Sequence, residues 1–290
     1  MSTKEAWNNL SQKEFKYQDK FFSSEEGLVV LGQLFWLFER REWAANYFAS
    51  IDTRRNYFDF CITRLMSFSL LRMSNTAEIV EYLIQRSHRL NQSIKPKPVS
   101  RRVILLENSA NADFVIKTWS DFEYSINLIC DFELDEKEKN EIQFKGGDEI
   151  LKIIQKSDPQ INQEDRDKIR KVASYSDFHT SPNLRKALKL LKRRKEALGE
   201  EKYQEFREFV NFFSALRNCM HSNFIYFGKN REPYTFGGKV WKFENGKPIQ
   251  TEPLDPDPTI EVVTKLHYIY YEIIKGMDNT LIEDPTPEIP

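Results

Sequence analysis

"SSEEGLVVLGQLFWLFERREWAANYFASI", residues 23–51, decides the fold class. Two serines and two glutamates open it as a helix cap and acidic first turn, and apolar residues then recur at helical rather than alternating spacing. The most hydrophobic part, "GLVVLGQLFWLF" at 27–38, is too short to cross a bilayer before "ERRE" interrupts it, so a buried helix is the expectation. The stretches "RRNYFDFCITRLMSFSLLRM" (54–73) and "TAEIVEYLIQRSHRLNQSI" (76–94) repeat this pattern, and the three together predict an antiparallel helical layer.

Outward from this layer the chain stays helical. "KPKPVS" at 95–100 breaks the periodicity, because successive X-Pro pairs favour extended backbone, and a boundary is placed there. The organisation expected is an N-terminal helical region over 1–98, a second helical domain over 99–282, and a frayed tail at 283–290. "NADFVIKTWSDFEYSINLICDFEL" (111–134) predicts a long helix, "DEKEKNEIQFKGGD" (135–148) an acidic glycine-containing loop, and "EILKIIQKS" and "EDRDKIRKVASY" short helices. After "HTSPN", Thr180 or Ser181 is expected to cap a helix with Pro182 in its first turn. Two strand-like runs, "EPYTFGG" and "KVWKFENGKPIQ", carry turn signals at Gly237-Gly238 and Asn245-Gly246. Beyond the proline-spaced linker "EPLDPDP", "TIEVVTKLHYIYYEIIKGM" (259–277) predicts a last helix, capped near Asp257 with Pro258 in its first turn. The fold class is therefore all-α, an antiparallel helical bundle with a small β-hairpin excursion before the last helix.

Bulk properties exclude several functions. The 290 residues are 40% apolar and 30% charged, ordinary for a globular protein with a sizeable core. Basic and acidic residues number 43 and 44, so affinity for nucleic acid or an anionic membrane must come from a local patch. Cys61, Cys130 and Cys219 lie far apart without CxxC pairing, which argues against a disulfide framework or zinc knuckle and fits a reducing cytosol. The N-terminus has no apolar segment of the kind that targets a chain for export.

One dense positive patch exists. Arg185, Lys186, Lys189, Lys192, Arg193, Arg194 and Lys195 fall within eleven positions with no acidic residue among them. Such a run is either a solvated helix face or a track for a phosphate backbone.

"SALRNCMHSNFIYFG" (214–228) carries the chemistry. At 3.6 residues per turn, Tyr203, Phe206, Val210, Phe213 and Met220 form an apolar seam, and Arg217 projects into that seam between Phe206 and Val210. A guanidinium there needs a carboxylate, a phosphate, a wet cleft or an interface. Asp121 and Glu123, polar residues in an aromatic helix, are candidate carboxylates. His221, four residues on, shares the face of Arg217, and Asn218 turns toward solvent. Arginine presents a permanently charged fork to phosphate oxygens, and histidine titrates near neutral pH. Together they suffice for cleavage of RNA without a metal: a base takes the 2′-hydroxyl proton, that oxygen attacks the adjacent phosphate, and the guanidinium stabilises the developing charge. The alternative is structural, a buried ion pair with a satisfied core histidine.

The octapeptide "LRNCMHSN" (216–223) resembles the signature of HEPN (higher eukaryotes and prokaryotes nucleotide-binding) domains, in which an arginine, often followed by asparagine, precedes a histidine near a helix end. Three residues separate Arg217 from His221 here, where the family commonly has four to six. The resemblance covers these residues and the helical context from about 100 to 280. It implies an all-α domain, a metal-independent endoribonuclease with Arg217, Asn218 and His221 as catalytic residues, a homodimer with the site between copies, an RNA substrate, and an antitoxin or antiviral defence-system partner. Other members only bind nucleotides or proteins, which keeps a non-catalytic helical binding module as the second implication.

No cofactor is implied. Cys219 and His221 are too few for a metal site, and Cys219 reads as a small buried hydrophobe. His88, His179 and His267 read as structural, and neither a glycine-rich phosphate loop nor a nucleophile elbow is present.

Overall fold

A computed structural model describes residues 21, 23–74, 99–157, 161–172, 178, 181–252 and 258–285. Its helices are α1 (Glu25–Tyr47), α2 (Thr53–Ser74), α3 (Val99–Glu133), α4 (Glu136–Ser157), α5 (Gln163–Val172), α6 (Asn183–Arg193), α7 (Lys195–Leu198), α8 (Glu200–His221) and α9 (Thr259–Ile274). Between α8 and α9 lie the strands β1 (Tyr234–Phe236), β2 (Lys239–Lys242) and β3 (Gln250–Glu252). The all-α expectation holds, and none of the described helices is long and apolar enough to cross a membrane. The expected helix over 76–94, most of the "KPKPVS" boundary, His88, His179, Thr180 and Asp257 lie outside the described residues.

Local chemistry explains where elements start. Ser24 caps α1 as expected, its hydroxyl accepting from the Gly27 N–H at 3.1 Å. Asp135 and Glu138 form a reciprocal capping box at α4: the Glu138 N–H donates to Asp135 Oδ1 at 2.8 Å, and the Asp135 N–H donates to Glu138 Oε2 at 3.4 Å. The loop expected at 135–148 is consequently the start of one continuous helix. Its Gly147 is not a break: a Cβ there would stand 2.5 Å from the Arg170 carbonyl oxygen, so the missing side chain lets α4 and α5 approach. At α6 Pro182 itself occupies the cap position, and its side chain makes no capping hydrogen bond.

The strand region goes beyond a hairpin. β1, β2 and β3 form an antiparallel three-stranded meander, with Tyr234 opposite Trp241 and Val240 opposite Glu252. Gly237 and Gly238 make the first turn at φ +59° and +69°, a pair of left-handed residues that suits a tight hairpin. Gly246, φ +74°, serves the second turn. The meander packs on α8 through Phe212, which stacks on Tyr234 at 4.5 Å and meets Trp241 edge-on at 5.2 Å.

Helices from both sides of residue 98 contribute to one hydrophobic core. Tyr57 of α2 stacks on Tyr270 of α9 at 3.6 Å, Phe68 of α2 on Phe114 of α3 at 4.4 Å, and Trp119 of α3 on Phe213 of α8 at 5.3 Å. Fraying does not begin at residue 283. Glu283 bridges to Asp52, the Asp284 N–H donates to the Ile51 carbonyl at 2.9 Å, and Tyr124 donates to Asp284 Oδ1 at 2.7 Å. A fully buried ion pair anchors this segment: Asp52 accepts twice from the Arg54 guanidinium, which also donates to the carbonyls of Asp278 and Thr280. Residues 286–290 lie outside the described residues.

Candidate functional site

The motif occupies the last turn of α8. Phe206, Phe209, Val210, Phe212, Phe213, Ala215, Leu216 and Cys219 are buried along that helix. Trp119 meets Phe213, and Glu123 meets Arg217, each one turn further along its own helix, so α3 accompanies α8 in parallel up to the motif. Arg217 sits where the apolar seam reaches its edge, with 29% of its side chain exposed. The carboxylate it faces is Glu123, Nη2 to Oε2 at 3.6 Å, whose own side chain is 23% exposed. Asp121, the other candidate, is bound to Arg64 of α2 at 2.9 and 3.2 Å.

Arg217 is under-coordinated. Besides the long contact to Glu123, Nη1 donates to Asn218 Oδ1 at 3.1 Å, and Nε is buried with no acceptor among the described residues. Arg54 shows what a purely structural arginine looks like in the same molecule, with Nε, Nη1 and Nη2 all donating to acceptors. A buried donor without a partner costs on the order of 1–3 kcal/mol, and Arg40 Nε is a second such donor among the described residues.

Asn218 and His221 are exposed, and the His221 imidazole pairs with no described side chain. Helix α8 ends directly after it: the N–H groups of Ser222 and Phe224 both donate to the Cys219 carbonyl, at 3.0 and 2.7 Å. Asn223 and Phe224 follow in the left-handed region, φ +54° and +65°. Asparagine tolerates this; a phenylalanine there costs roughly 1–2 kcal/mol, strain of the kind that gathers at functional sites. Bonds to residues 246–249 hold the turn: Ile249 N–H to the Phe224 carbonyl and Tyr226 N–H to the Lys247 carbonyl, both 2.9 Å, and Gly246 N–H to the Tyr226 carbonyl, 2.8 Å. The turn leaves Phe224 and Phe227 in solvent beside the motif. Sequence reasoning missed these two rings; the signal for them is aromatic residues continuing past the point where helical periodicity stops.

The basic helix is drawn inward. Lys186 is fully buried, its ammonium donating to Asn127 Oδ1 at 2.5 Å and lying 4.5 Å from the Phe178 ring centroid. Lys189 pairs with Glu138 and Glu141, Arg193 with Glu133 and Glu138, and Lys195 with Glu200. Arg185 points to the Ile142 carbonyl at 3.5 Å, and Arg194 donates to that of Glu272 at 3.2 Å. Lys192 alone of the seven is exposed without an ion pair among the described residues. Burial raises the Glu138 carboxyl, but the Arg193 guanidinium, a backbone N–H and Lys189 more than offset this and hold it below the usual range; Lys189 does the same for Glu141. α3 links the two features, because Glu123 and Asn127 are successive turns of one face, the first holding Arg217 and the second Lys186.

The other candidates are structural. Cys219 is buried, which pushes its thiol up to about 11 and keeps it protonated at neutral pH. His267 is fully buried, with the Gln33 amide 3.1 Å from Nδ1 and no partner on Nε2 among the described residues. Burial lowers its pKa to about 3, so it stays neutral. Among the described residues no group of three histidine, cysteine or carboxylate side chains is arranged to hold a metal ion.

No protein-family model matches the chain, and no match emerges from curated proteins or from solved structures.

Proposed function

We propose that the chain is a metal-independent endoribonuclease of HEPN type, acting at the end of α8. The observation that carries this reading is Arg217: partly exposed, one long ion pair, Nε without an acceptor, and an exposed imidazole one helical turn away. In the reaction the His221 imidazole takes the proton from a ribose 2′-hydroxyl. The 2′-oxygen forms its bond to phosphorus and the 5′-oxygen departs, taking up a proton from an imidazolium or water. Arg217 donates to the non-bridging oxygens as negative charge gathers on them, and Asn218 orients the strand. Glu123 keeps the fork aimed outward. The products are a 2′,3′-cyclic phosphate and a free 5′-hydroxyl. The partners this reading calls for are an RNA substrate, a second copy of the chain and, in the cell, an antitoxin or other defence-system protein.

Purified protein is expected to cleave RNA in EDTA and to leave cyclic phosphate ends, with Arg217→Ala and His221→Ala inactive but folded. Folded wild-type protein that cleaves no RNA over a range of sequences and structures removes this reading. A specific observation favours a second one, a non-catalytic helical module binding nucleotide or protein: six of the seven cations of the basic run are engaged within the chain, which leaves little of a phosphate track.

A further inference from the structure

The turn that follows the motif holds two aromatic rings outward. Phe224 takes φ +65°, a conformation that a β-carbon resists. Glycine would close the same turn without strain, so the turn itself does not call for the ring. The Phe224 N–H on the Cys219 carbonyl, 2.7 Å, folds the residue against the end of α8, three positions after His221. Three residues of chain reach at most about 11 Å, which bounds its distance from the imidazole-bearing backbone. Phe227 stands three positions further on and is 69% exposed, against 38% for Phe224. Tyr226 between them turns the other way, buried and edge-on to Phe243 at 5.4 Å.

The loop that carries Phe227 is fixed at several points. The Tyr226 hydroxyl donates to the Lys229 carbonyl and accepts from Arg231 Nε, both at 2.9 Å. Arg231 Nη1 donates in turn to the Asn211 carbonyl of α8 at 3.1 Å, which ties the loop to the motif's own helix. On the other side the Gly228 N–H donates to Asn245 Oδ1 at 3.3 Å, and the Asn245 N–H donates to Asn230 Oδ1 at 2.8 Å. A Cβ at Gly228 would stand 2.6 Å from the Tyr226 hydroxyl, so the missing side chain is what lets the loop close over that ring. Lys229, on the same loop, is exposed and makes no ion pair among the described residues.

An RNA strand at the end of α8 needs a source of affinity, and α6 supplies little, because six of its seven cations are engaged within the chain. Stacking on aromatic side chains is the other sequence-tolerant source, since every base has a π-face. A base reaches such a ring only when it is free of a duplex. Resting on the reading that places RNA at Arg217 and His221, we propose that Phe224 and Phe227 stack the bases beside the scissile phosphate, Phe224 the nearer one. The substrate is then RNA unpaired at the cleaved step, chosen by its open structure more than by its sequence.

Fluorescence anisotropy on the full chain tests this with a labelled 2′-O-methyl uridine strand, which lacks the attacking hydroxyl and stays intact. A strand of equal length without bases and the uridine strand paired to its complement complete the set. Wild type is expected to bind the open strand best. Phe224→Leu and Phe227→Leu, with unchanged circular dichroism, are each expected to weaken that binding by between about fivefold and about 150-fold, and to leave the abasic strand unaffected. Phe227→Tyr, which keeps a ring, is expected to restore binding. Phe227 is the more exposed of the two, so its variants give an answer even where Phe224→Leu disturbs the turn. The same leucine variants are expected to lower kcat/KM on unpaired RNA with free 2′-hydroxyls. Wild type that binds as described yet cleaves nothing supports the stacking assignment and removes the nuclease reading alone. Wild type that cleaves while the leucine variants bind and cleave like it overturns the stacking assignment alone. Equal losses on the open and abasic strands, a preference for the duplex, or no binding of any strand also overturn it.

Discussion

Glu123 Oε2 stands 3.6 Å from Arg217 Nη2, an ion pair too long for a good hydrogen bond and open to water on both sides. A pair of this kind stabilises a fold by only about 0–1 kcal/mol. Glu123→Gln is therefore expected to leave the thermal midpoint within about 3 °C of wild type. If Arg217 acts on phosphate, the same change loosens its aim and lowers the cleavage rate, with kcat falling more than KM rises. Unchanged kinetics would assign Glu123 no positioning role.

Arg54 behaves in the opposite way. Its guanidinium and Asp52 are fully buried and hold the carbonyls of Asp278 and Thr280. Arg54→Met leaves the Asp52 carboxylate without its cation, a change expected to cost about 3–5 kcal/mol. Arg217→Met, by contrast, removes a poorly satisfied donor set and is expected to cost less than about 1 kcal/mol. Denaturant melts of the two variants side by side check both figures, and equal losses would erase the distinction between a structural and a functional arginine.

His267 makes stability depend on pH. Its pKa in the fold is about 3, against about 6.5 in an unfolded chain, so the unfolded state binds the extra proton between those values. Stability is then fully present above about pH 6.5 and declines as pH falls through the window, by about 2 kcal/mol between pH 7 and 5. Carboxylates such as Glu141 and Glu244, whose pKa values lie below the usual range, add losses of the same sign only at lower pH. The thermal midpoint is expected to drop roughly 5 °C from pH 7 to 5 in the wild type. His267→Gln is expected to flatten that slope, and an equally steep slope in the variant would move the cause elsewhere.

The paired cations of α6 limit what RNA can gain from them. Each phosphate contact contributes close to one unit to the slope of log K against log salt, and of the seven cations only Lys192 is both exposed and without an ion pair among the described residues. Lys192→Ala is expected to change the slope by one unit or less in fluorescence anisotropy with labelled RNA. Glu138→Gln removes one of the two carboxylate partners of Lys189 and of Arg193, leaving Glu141 and Glu133, and is expected to tighten binding at low salt and steepen the slope. A wild-type slope of several units lost on mutating α6 would show that RNA displaces these internal pairs.

The parts legible in the sequence are those whose cause is local. Gly237-Gly238 and Gly246 announced turns because φ angles of +59° to +74° suit few other residues. Arg217 announced a need for a partner because the wheel set it in an apolar seam. That the partner is Glu123 rather than Asp121 was open, since Arg64 of α2, 57 residues before Asp121, competes for the latter. The same limit applies to α6, whose partners Glu133, Glu138 and Glu141 come from α3 and α4. Gly147 misled for a related reason: it signals a helix break, yet it exists to admit the backbone of Arg170.

Between residues 121 and 127, α3 presents Asp121 to Arg64 of α2, Glu123 to Arg217 of α8, Ser125 to Thr53 of α2 and Tyr270 of α9, and Asn127 to Lys186 of α6. A helix gripped only by apolar side chains can slip by a turn among packings of similar quality. This one cannot, because a slide of one turn along its axis mismatches all of these contacts at once. α3 thus works as a keyed shaft: it sets the motif on α8 at a fixed height against α6, although Arg217 and Lys186 are gripped by different teeth of the key.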